Sequence, residues 1–404
     1  MSHSLPLQPL AAAQRITTLD VLRGFALFGI LLMNIETFVG PFELAQGINP
    51  QWQGLDRWAD ALVFVLVQGK FFTLFSLLFG MGFAVMSQRA EAAGQAFTPM
   101  YLRRSLTLLL IGLLHVSLVW SGDILVSYAL LALMLPAFRE APRSWLPALG
   151  TACYLAAVVL LVVVFAAMGL MGDGGKAEML ARVQDGIEAQ RQIYGHGSWT
   201  QAVGLRLREF GAALGGLPVV GPEVFGMFLL GAWFVHSGAI ADPAAHPRLH
   251  AGLRWIALPL GLAVMLWVAW WQPWQEPGTF DTRMGIAAAV GAVAGAVMSL
   301  GYLGWVVRWR GCLGWLAPAG RMALTNYVMQ SLVCTFVFYG YGLGGYEQLG
   351  RAWQLVFALA LFALQVWLST IWLRHFQFGP LEWLWRAATY GRWPPLRRRE
   401  LAAA

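Results

Sequence analysis

The sequence predicts an all-α, polytopic integral membrane protein with about ten transmembrane helices and both termini in the cytoplasm. Apolar residues make up 58% of the 404 residues and charged residues only 12%, about half the charged share of a soluble protein. Apolar stretches of about 20 residues, the length that crosses a bilayer, recur along the chain. Arginine and lysine are also unevenly shared between alternate connections. This composition excludes a disordered chain, a secreted disulfide scaffold and an ordinary cytosolic enzyme.

Ten apolar segments are predicted to span the membrane. The first carries Asp20 and Arg23 inside its apolar run and has no persuasive small-residue cleavage site, so we interpret it as an uncleaved helix and not a signal peptide. The stretch before the second segment, Pro41 to Gln68, is predicted to be a re-entrant or interfacial helix that breaks at Gly69. The ten segments cover residues 17–38, 69–88, 104–121, 123–138, 145–170, 222–240, 252–271, 284–306, 322–340 and 352–373.

The basic residues predict the orientation of these segments, because cytoplasmic connections retain arginine and lysine. With the N-terminus in the cytoplasm, seventeen of the 27 basic residues fall in cytoplasmic segments, nine fall on the opposite side and Arg23 lies within a span. The formal charge of +7 suits the anionic inner leaflet of a bilayer. The lipid bilayer is therefore the expected partner, and no nucleic acid is expected.

The chain is predicted to consist of two five-span halves, residues 1–170 and 222–404, joined by an extracytoplasmic loop over residues 171–221. This loop contains a polar helical stretch at 177–192 and a glycine-rich stretch at 211–221. The second half ends in a basic, tryptophan-rich cytoplasmic tail, interpreted as an interfacial anchor. The three cysteines have no metal-ligand spacing, and Pro247 interrupts the one close histidine pair, so no metal site is predicted.

The first span carries polar groups where lipid is expected, which makes each of them a functional candidate. Asp20 and Arg23 are three residues apart, close enough to pair on one helix face. Arg23 and Asn34 are eleven apart, which places them on one face about 16 Å apart along the axis. A structural ion pair would also explain the first two residues, and a helix–helix contact would also explain the asparagine.

The third span repeats this arrangement. Arg104 and His115 are also eleven residues apart, with the arginine again toward the cytoplasm. A tight turn at Ser121-Gly122 would bring Asp123 back toward His115. A carboxylate that orients an imidazole is the usual arrangement of a general base. The alternative is a core histidine bonded to a backbone carbonyl.

Four further polar residues are candidates for substrate binding. Glu36 and Lys70 are expected at the same outer depth of the membrane as Asp123. Asn326 and Gln330 share a helix face because they are four residues apart. Helix contacts and a polar site would explain this last pair equally well.

Six motifs along the chain carry a family resemblance. They are Leu19-Asp20-Val-Leu-Arg23-Gly24-Phe-Ala-Leu-Phe-Gly-Ile-Leu-Leu-Met-Asn34, Phe71-Phe-Thr-Leu-Phe75-Ser76-Leu-Leu-Phe79-Gly80-Met-Gly82-Phe, Gly112-Leu-Leu-His115, Gly122-Asp123-Ile-Leu, Gly320-Arg321-Met-Ala-Leu-Thr325-Asn326-Tyr327 and Gly379-Pro380-Leu-Glu382-Trp383-Leu-Trp385-Arg386. With these motifs the chain resembles the YeiB-like bacterial inner-membrane proteins, the family of domain of unknown function 418. The resemblance covers nearly the whole chain and implies a multi-pass protein of the bacterial cytoplasmic (inner) membrane.

The first half of that family is similar to a wider group of transmembrane acyltransferases, which includes the lysosomal heparan glucosaminide acetyltransferase. These enzymes share an Arg-Gly in the first span and a polar residue eleven after the arginine; Arg23, Gly24 and Asn34 match the asparagine version. The similarity implies acyl-CoA as a cytoplasmic co-substrate, with acetyl-CoA as one candidate. It also implies an acceptor, either a glycan or a lipid-linked precursor. Residues 35–55 contain no histidine, so the catalytic histidine of the heparan enzyme has no counterpart there.

Two functions are therefore weighed. In a transmembrane acyltransferase, Arg23 and Arg104 would bind the acyl-CoA phosphates. His115, oriented by Asp123, would act as the base, and Asn34 would bond the thioester carbonyl oxygen. In a small-solute transporter, His115 and Asp123 would form a proton relay. We favour the enzyme because no internal repeat is visible, and acyl-CoA binding would discriminate the two.

Overall fold

The computed structural model describes residues 16–398, which form helices and turns with no β-strand in that range. The all-α fold class predicted from the sequence is confirmed. Fifteen α-helices lie within the described residues. They are α1 (Thr17–Val39), α2 (Gly54–Leu66), α3 (Lys70–Ala92), α4 (Phe97–Leu118), α5 (Leu125–Ala132), α6 (Trp145–Gly169), α7 (Asp173–His196), α8 (Trp199–His236), α9 (Pro247–Gly252), α10 (Leu258–Trp271), α11 (Thr282–Arg308), α12 (Ala317–Arg321), α13 (Ala323–Phe338), α14 (Arg351–His375) and α15 (Pro380–Tyr390). A π-helical turn, Leu253–Ala257, joins α9 to α10.

Eight stretches of helix within residues 16–398 are long and apolar enough to cross a membrane, and they match eight of the ten predicted spans. The other two segments form shorter helices. The segment predicted over 123–138 forms the eight-residue α5 and then a 3₁₀ turn, Leu135–Phe138. The segment predicted over 322–340 forms the 16-residue α13, which is about 24 Å long and shorter than a bilayer core of about 30 Å. Eight of the ten predicted segments therefore have the length of a full span, and the other two are shorter.

The connection predicted as a loop over residues 171–221 is helical almost throughout. The polar stretch at 177–192 lies within α7, and α8 then runs without interruption for 38 residues. Ser198 starts α8 with a capping box, in which its hydroxyl accepts from the Gln201 N–H and the Gln201 side chain accepts from the Ser198 N–H. The glycines at 211–221 and Pro218, interpreted as loop residues, are inside this helix, as is Pro222 from the predicted span.

The expected helix break at Gly69 is present. Helix α2 ends at Leu66, and Gly69 has a φ of +80°, which favours glycine. Helix α3 then begins at Lys70, whose Nζ donates to the carbonyl oxygen of Phe64 at 2.7 Å. The lysine ammonium therefore caps the end of α2.

Helix α1 is the central helix of the bundle. Two-thirds of the residues in its apolar stretch are buried, against 11% of those in the apolar stretch of α6, which lies at the periphery. Two glycines allow α12 and the turn before it to approach α1 closely. A Cβ atom at Gly24 would collide with the carbonyl oxygen of Leu316, and one at Gly320 would collide with the carbonyl oxygen of Asp20. The motif that contains Asp20 and Gly24 therefore lies in contact with the motif that runs from Gly320 to Tyr327.

The start of α1, the end of α3 and the start of α4 surround a single cavity. These are the ends predicted to be cytoplasmic, so their common location agrees with the predicted alternation of the spans. The sidedness itself remains a prediction from the basic residues.

Labelling of intact cells with a membrane-impermeant thiol reagent tests the orientation. We expect Asp185→Cys in α7 to react from outside and Ala96→Cys, before α4, to be protected, because both positions are exposed on the protein and lie on opposite predicted sides. Cys312, which is also exposed, is replaced by serine in both variants. The reverse labelling pattern would overturn the orientation.

Candidate active site

A cavity of about 560 Å³ opens between α1, α3, α4, α5, α13 and α15. Its lining is mixed: charged side chains lie at one end, and apolar and aromatic side chains lie toward the middle of the bundle. The charged residues are Asp20, Arg23, Arg89, Arg104, Arg321, Glu382 and Arg386. With five arginines against two carboxylates, this end of the cavity is strongly basic.

Arg23 and Asp20 form the ion pair that their spacing predicts. Arg23 Nη1 lies 3.1 Å from Asp20 Oδ1, and about a third of the arginine side chain remains exposed. A Cβ at Gly82 of α3 would lie 3.8 Å from Arg23 Nη2, so the guanidinium reaches across the cavity toward α3. One arginine edge is thus neutralised by Asp20, and the rest of the side chain lines the cavity.

Arg104 is held by an aromatic ring. Its guanidinium lies 3.6 Å from the ring centroid of Trp385, and the Trp385 indole N–H donates to the Arg104 carbonyl oxygen at 2.8 Å. No carboxylate in residues 16–398 forms an ion pair with Arg104. Arg386 and Arg23 are near enough to repel it. The cation–π contact leaves the guanidinium positioned to bind an anion.

Glu382 fixes α15 against α13. Its Oε1 accepts from the backbone N–H groups of Leu324 and Thr325 at 2.7 and 3.1 Å, and its Oε2 accepts from the Thr325 hydroxyl at 2.6 Å. A carboxylate at a helix N-terminus satisfies otherwise unpaired N–H groups. Burial raises the pKa of Glu382, while the hydrogen bonds from Thr325 and Leu324 oppose that rise. The tryptophan-rich tail, interpreted from sequence as an interfacial anchor, is thus also a wall of the cavity.

The inner end of the cavity is apolar and aromatic. Ile30 of α1, Phe75 and Phe79 of α3, and Leu108 of α4 line it, together with Tyr128 of α5. The Tyr128 hydroxyl lies 2.6 Å from the Ser76 hydroxyl, so its polar end has a partner. The cavity as a whole therefore suits an elongated ligand with an anionic end and an apolar end.

His115 and Asp123 form the predicted pair. His115 Nδ1 lies 2.8 Å from Asp123 Oδ1, and both side chains are at most 1% exposed. The second carboxylate oxygen accepts from the Val126 N–H at 2.8 Å. Gly112, three residues before His115, allows this contact, because a Cβ there would lie 2.8 Å from Val126 N. The return of the chain onto α4 thus places the carboxylate beside the imidazole.

Tyr327 separates this pair from the cavity. Its ring centroid lies 5.3 Å from that of His115, and the residue also lines the cavity. Its hydroxyl accepts from the Ile124 N–H at 3.4 Å. His115 Nε2 is buried and has no hydrogen-bond partner within the described residues. With Nδ1 bonded to Asp123, Nε2 is the nitrogen left to act as a base.

Two relatives and a family model show the family of this chain. The chain is 35% identical to "Uncharacterized protein YxaH" of Bacillus subtilis (strain 168), over 97% of this chain and 98% of the relative. It belongs to the DUF418 family of YeiB-like proteins. "Uncharacterized protein YeiB" of Escherichia coli (strain K12) is 32% identical over 93% of this chain and 96% of its own length. The family model, "Protein of unknown function (DUF418)", matches residues 234–392. These relatives and the long apolar helices indicate a multi-pass membrane protein.

In this DUF418 protein, Asn34 lies one turn beyond Ile30 on the face of α1 that carries Arg23. Arg23 and Ile30 line the cavity, whereas Asn34 does not. One further turn along, Phe38 packs against Trp120 at a centroid distance of 4.1 Å. Asn34 is therefore placed just past the inner end of the cavity, on the side where α4 ends.

The four predicted substrate-binding residues do not line the cavity. Glu36 pairs with Arg351 at 3.0 Å, and Lys70 caps α2. The Asn326 amide donates to Ser369 Oγ and the Ala319 carbonyl oxygen, and the Gln330 amide donates to Gln365 Oε1. Of the two interpretations left open for Asn326 and Gln330, the structure favours helix contacts between α13 and α14.

Sequence reasoning missed the residues that α13 and α15 bring to the cavity, namely Tyr327, Glu382, Trp385 and Arg386. All four residues lie in two of the six motifs, Tyr327 in the fifth and the other three in the sixth. The missing information was that α15 folds back onto α4, which no local pattern specifies.

Proposed function

We propose that the protein is a transmembrane acyltransferase of the bacterial inner membrane that takes an acyl group from cytoplasmic acyl-CoA. The acceptor is a glycan or a lipid-linked precursor. One observation carries the proposal. The cavity has a basic end at Arg23 and Arg104, and its aromatic inner end reaches Tyr327, which contacts His115 of the buried histidine–aspartate pair.

The basic end matches the donor. Coenzyme A carries several phosphates, and guanidinium groups bind phosphate with charge-assisted hydrogen bonds. Five arginines line this end, and the aromatic ring over Arg104 holds one of them in place. A pantetheine arm extending from the arginines along α1 would follow a helix rise of about 16 Å between Arg23 and Asn34. The apolar inner end then receives the thioester and its acyl group.

The chemistry is assigned to His115. Asp123 accepts the Nδ1–H, so Nε2 takes the proton of the acceptor hydroxyl. The acceptor oxygen forms a bond to the thioester carbonyl carbon, the carbon–sulfur bond breaks, and the coenzyme A thiolate receives the proton from the imidazolium. Asn34 hydrogen-bonds the carbonyl oxygen as negative charge develops there. The products are the acylated acceptor and free coenzyme A.

Tyr327 controls access in this proposal. Its ring covers the imidazole from the cavity side, and the imidazole is almost fully buried. Rotation of this side chain would connect the donor cavity with His115 Nε2. While the ring covers the imidazole, acyl-CoA in the cavity is kept apart from the base, which would also limit the hydrolysis of acyl-CoA by water.

Arg104→Ala tests donor binding. We expect the affinity for a non-hydrolysable acyl-CoA analogue to fall by about 1.5–3 kcal/mol, the scale of a charged hydrogen bond, which is about 10- to 150-fold in Kd. Isothermal titration of the detergent-purified variants measures it. The matched control is Arg103→Ala, which removes the same charge from an exposed neighbour that does not line the cavity.

Unchanged affinity in Arg104→Ala would remove the arginine end from the donor site. No measurable affinity for acyl-CoA in the unmodified protein would overturn the acyltransferase proposal. The function would then be sought in the transporter, with His115 and Asp123 as a proton relay.

A further inference from the structure

A carboxyl group that the proposed acyl transfer does not use lies inside α8. Glu223 follows Pro222 and bonds Tyr154 of α6, whose hydroxyl also lies beside the carbonyl oxygen of Ala292 in α11. Both of these residues lie in the middle part of their helices. Helices α6 and α8 approach closely here, because a Cβ on Gly226 would collide with the carbonyl oxygen of Gly150.

The hydrogen bonds of Tyr154 define the protonation state. The phenol oxygen lies 2.8 Å from Glu223 Oε1 and also 2.8 Å from the Ala292 carbonyl oxygen. A phenol has one proton and can donate it to only one of these acceptors. Both contacts are satisfied when Glu223 carries a proton, because the carboxyl O–H then donates to Tyr154 and the phenol O–H donates to Ala292. We propose that Glu223 is an intramembrane proton-binding site that is occupied in this conformation.

The charges around Glu223 support this assignment. No Lys, Arg or His in residues 16–398 forms an ion pair with it. The titratable groups that interact with it are Tyr154 from α6 and Tyr128 from α5. Of the cations on α3, Lys70 lies three residues from Thr73, and its Nζ is bonded to a carbonyl oxygen of α2. An ionised carboxylate without a cation inside a membrane is costly, whereas the protonated carboxyl with its two-bond chain is neutral and satisfied.

A row of hydroxyl groups leads from this site toward the cavity. Thr73 of α3 lies near Tyr154 and donates to the Gly69 carbonyl oxygen, and the hydroxyl of Ser76, three residues later on the same helix face, lies 2.6 Å from the Tyr128 hydroxyl. Tyr128 lines the cavity. Thr73 and Ser76 are both at most 1% exposed. These hydroxyls form a row of polar groups between Glu223 and the inner end of the cavity, within an otherwise apolar region.

Loss of the proton has a defined consequence for packing. The carboxylate would take the Tyr154 proton as its hydrogen-bond donor, and the bond from Tyr154 to Ala292, which joins α6 to α11, would be lost. Helix α8 carries Pro218 and Pro222 beside the site, and each lacks the N–H of a helical hydrogen bond. Binding and release of the proton are thereby linked to the contact between three spans.

Infrared difference spectroscopy of the purified protein at pH 7 tests the proposal without any acyl-CoA. We expect Glu223→Gln to lose a carbonyl-stretch band of a protonated carboxylic acid that the unmodified protein shows. Glu347→Gln is the matched control and should leave that band unchanged, because Glu347 lies at the surface and pairs as a carboxylate with Arg191 at 3.0 Å. A Glu223→Gln spectrum that loses only carboxylate bands would overturn the proposal.

A second variant covers a failure of Glu223→Gln to fold. Tyr154→Phe keeps the glutamate and removes the acceptor of its proton. The band of the protonated carboxyl group is then expected to shift to higher frequency as its hydrogen bond is lost. An unshifted spectrum in folded Tyr154→Phe would contradict the assignment. Because neither measurement involves acyl transfer, the two proposals can fail independently.

Discussion

His115→Ala is expected to lower the rate of acyl transfer by about 100- to 10,000-fold, the usual cost of removing a positioned general base. The imidazole is held by Asp123 at 2.8 Å and leaves Nε2 as the only ring nitrogen available to an acceptor. Transfer from radiolabelled acyl-CoA to membrane glycans and lipids measures the rate. The affinity for a non-hydrolysable acyl-CoA analogue should remain nearly unchanged, because the histidine acts on the chemical step.

His236→Ala provides the matched control for this prediction. His236 is the last residue of the spanning helix α8 and bonds Gln88 of α3. Its loss should leave the transfer rate close to that of the unmodified protein. If His115→Ala instead reduces the amount of folded protein in the membrane as much as it reduces activity, His115 is a core histidine and the catalytic assignment is wrong.

Arg351→Ala is expected to lower the free energy of unfolding by about 3–5 kcal/mol, the cost of removing one partner of a buried ion pair. Arg351 is 1% exposed, and its guanidinium lies 3.0 Å from both Glu36 Oε2 and Asp60 Oδ1. Its loss leaves two carboxylates facing each other without a cation. Chemical denaturation in detergent, followed by tryptophan fluorescence, measures the change.

The control for Arg351 is a pair of the same type at the surface. Arg191 and Glu347 are each about 40% exposed, so Arg191→Ala should cost at most about 1 kcal/mol. Replacing Glu36 by Gln and Asp60 by Asn in the Arg351→Ala background should restore part of the lost stability, because the unpaired charges are then removed. Unchanged stability in Arg351→Ala would show that this cluster is open to water, and would return Glu36 to the candidates for substrate binding.

Spacing within one helix allowed several parts of the site to be predicted. The Asp20–Arg23 pair depends only on a separation of three residues. The contact between His115 and Asp123 needed one further assumption, a tight turn, and the glycine before Asp123 supplied it. In both cases the decisive geometry is local: the helix period specifies the first pair, and the turn between α4 and α5 specifies the second.

Contacts between distant parts of the chain were beyond such reasoning. Trp385 follows Arg104 by 281 residues. Glu223 of α8 follows Tyr154 of α6, to which it is bonded, by 69 residues. A boundary set at residue 222 from hydropathy left Glu223 at the edge of a span, although α8 begins at Trp199. Glycines and prolines there favoured a loop, but packing against α6 and α3 stabilises a continuous helix.

By itself the sequence determined that this is an all-α membrane protein of the YeiB-like family, because bilayer crossing requires apolar length and the six motifs are linear patterns. It also located Asp20, Arg23, Asn34, Arg104 and His115 inside apolar helices. The tertiary structure alone decided which groups the polar residues contact. Arg23 and Arg104 line the same cavity. Asn326 and Gln330 form contacts between helices, and Glu36 pairs with Arg351. The physical reason is that a buried polar group must find a partner, and which partner it finds depends on how the helices pack.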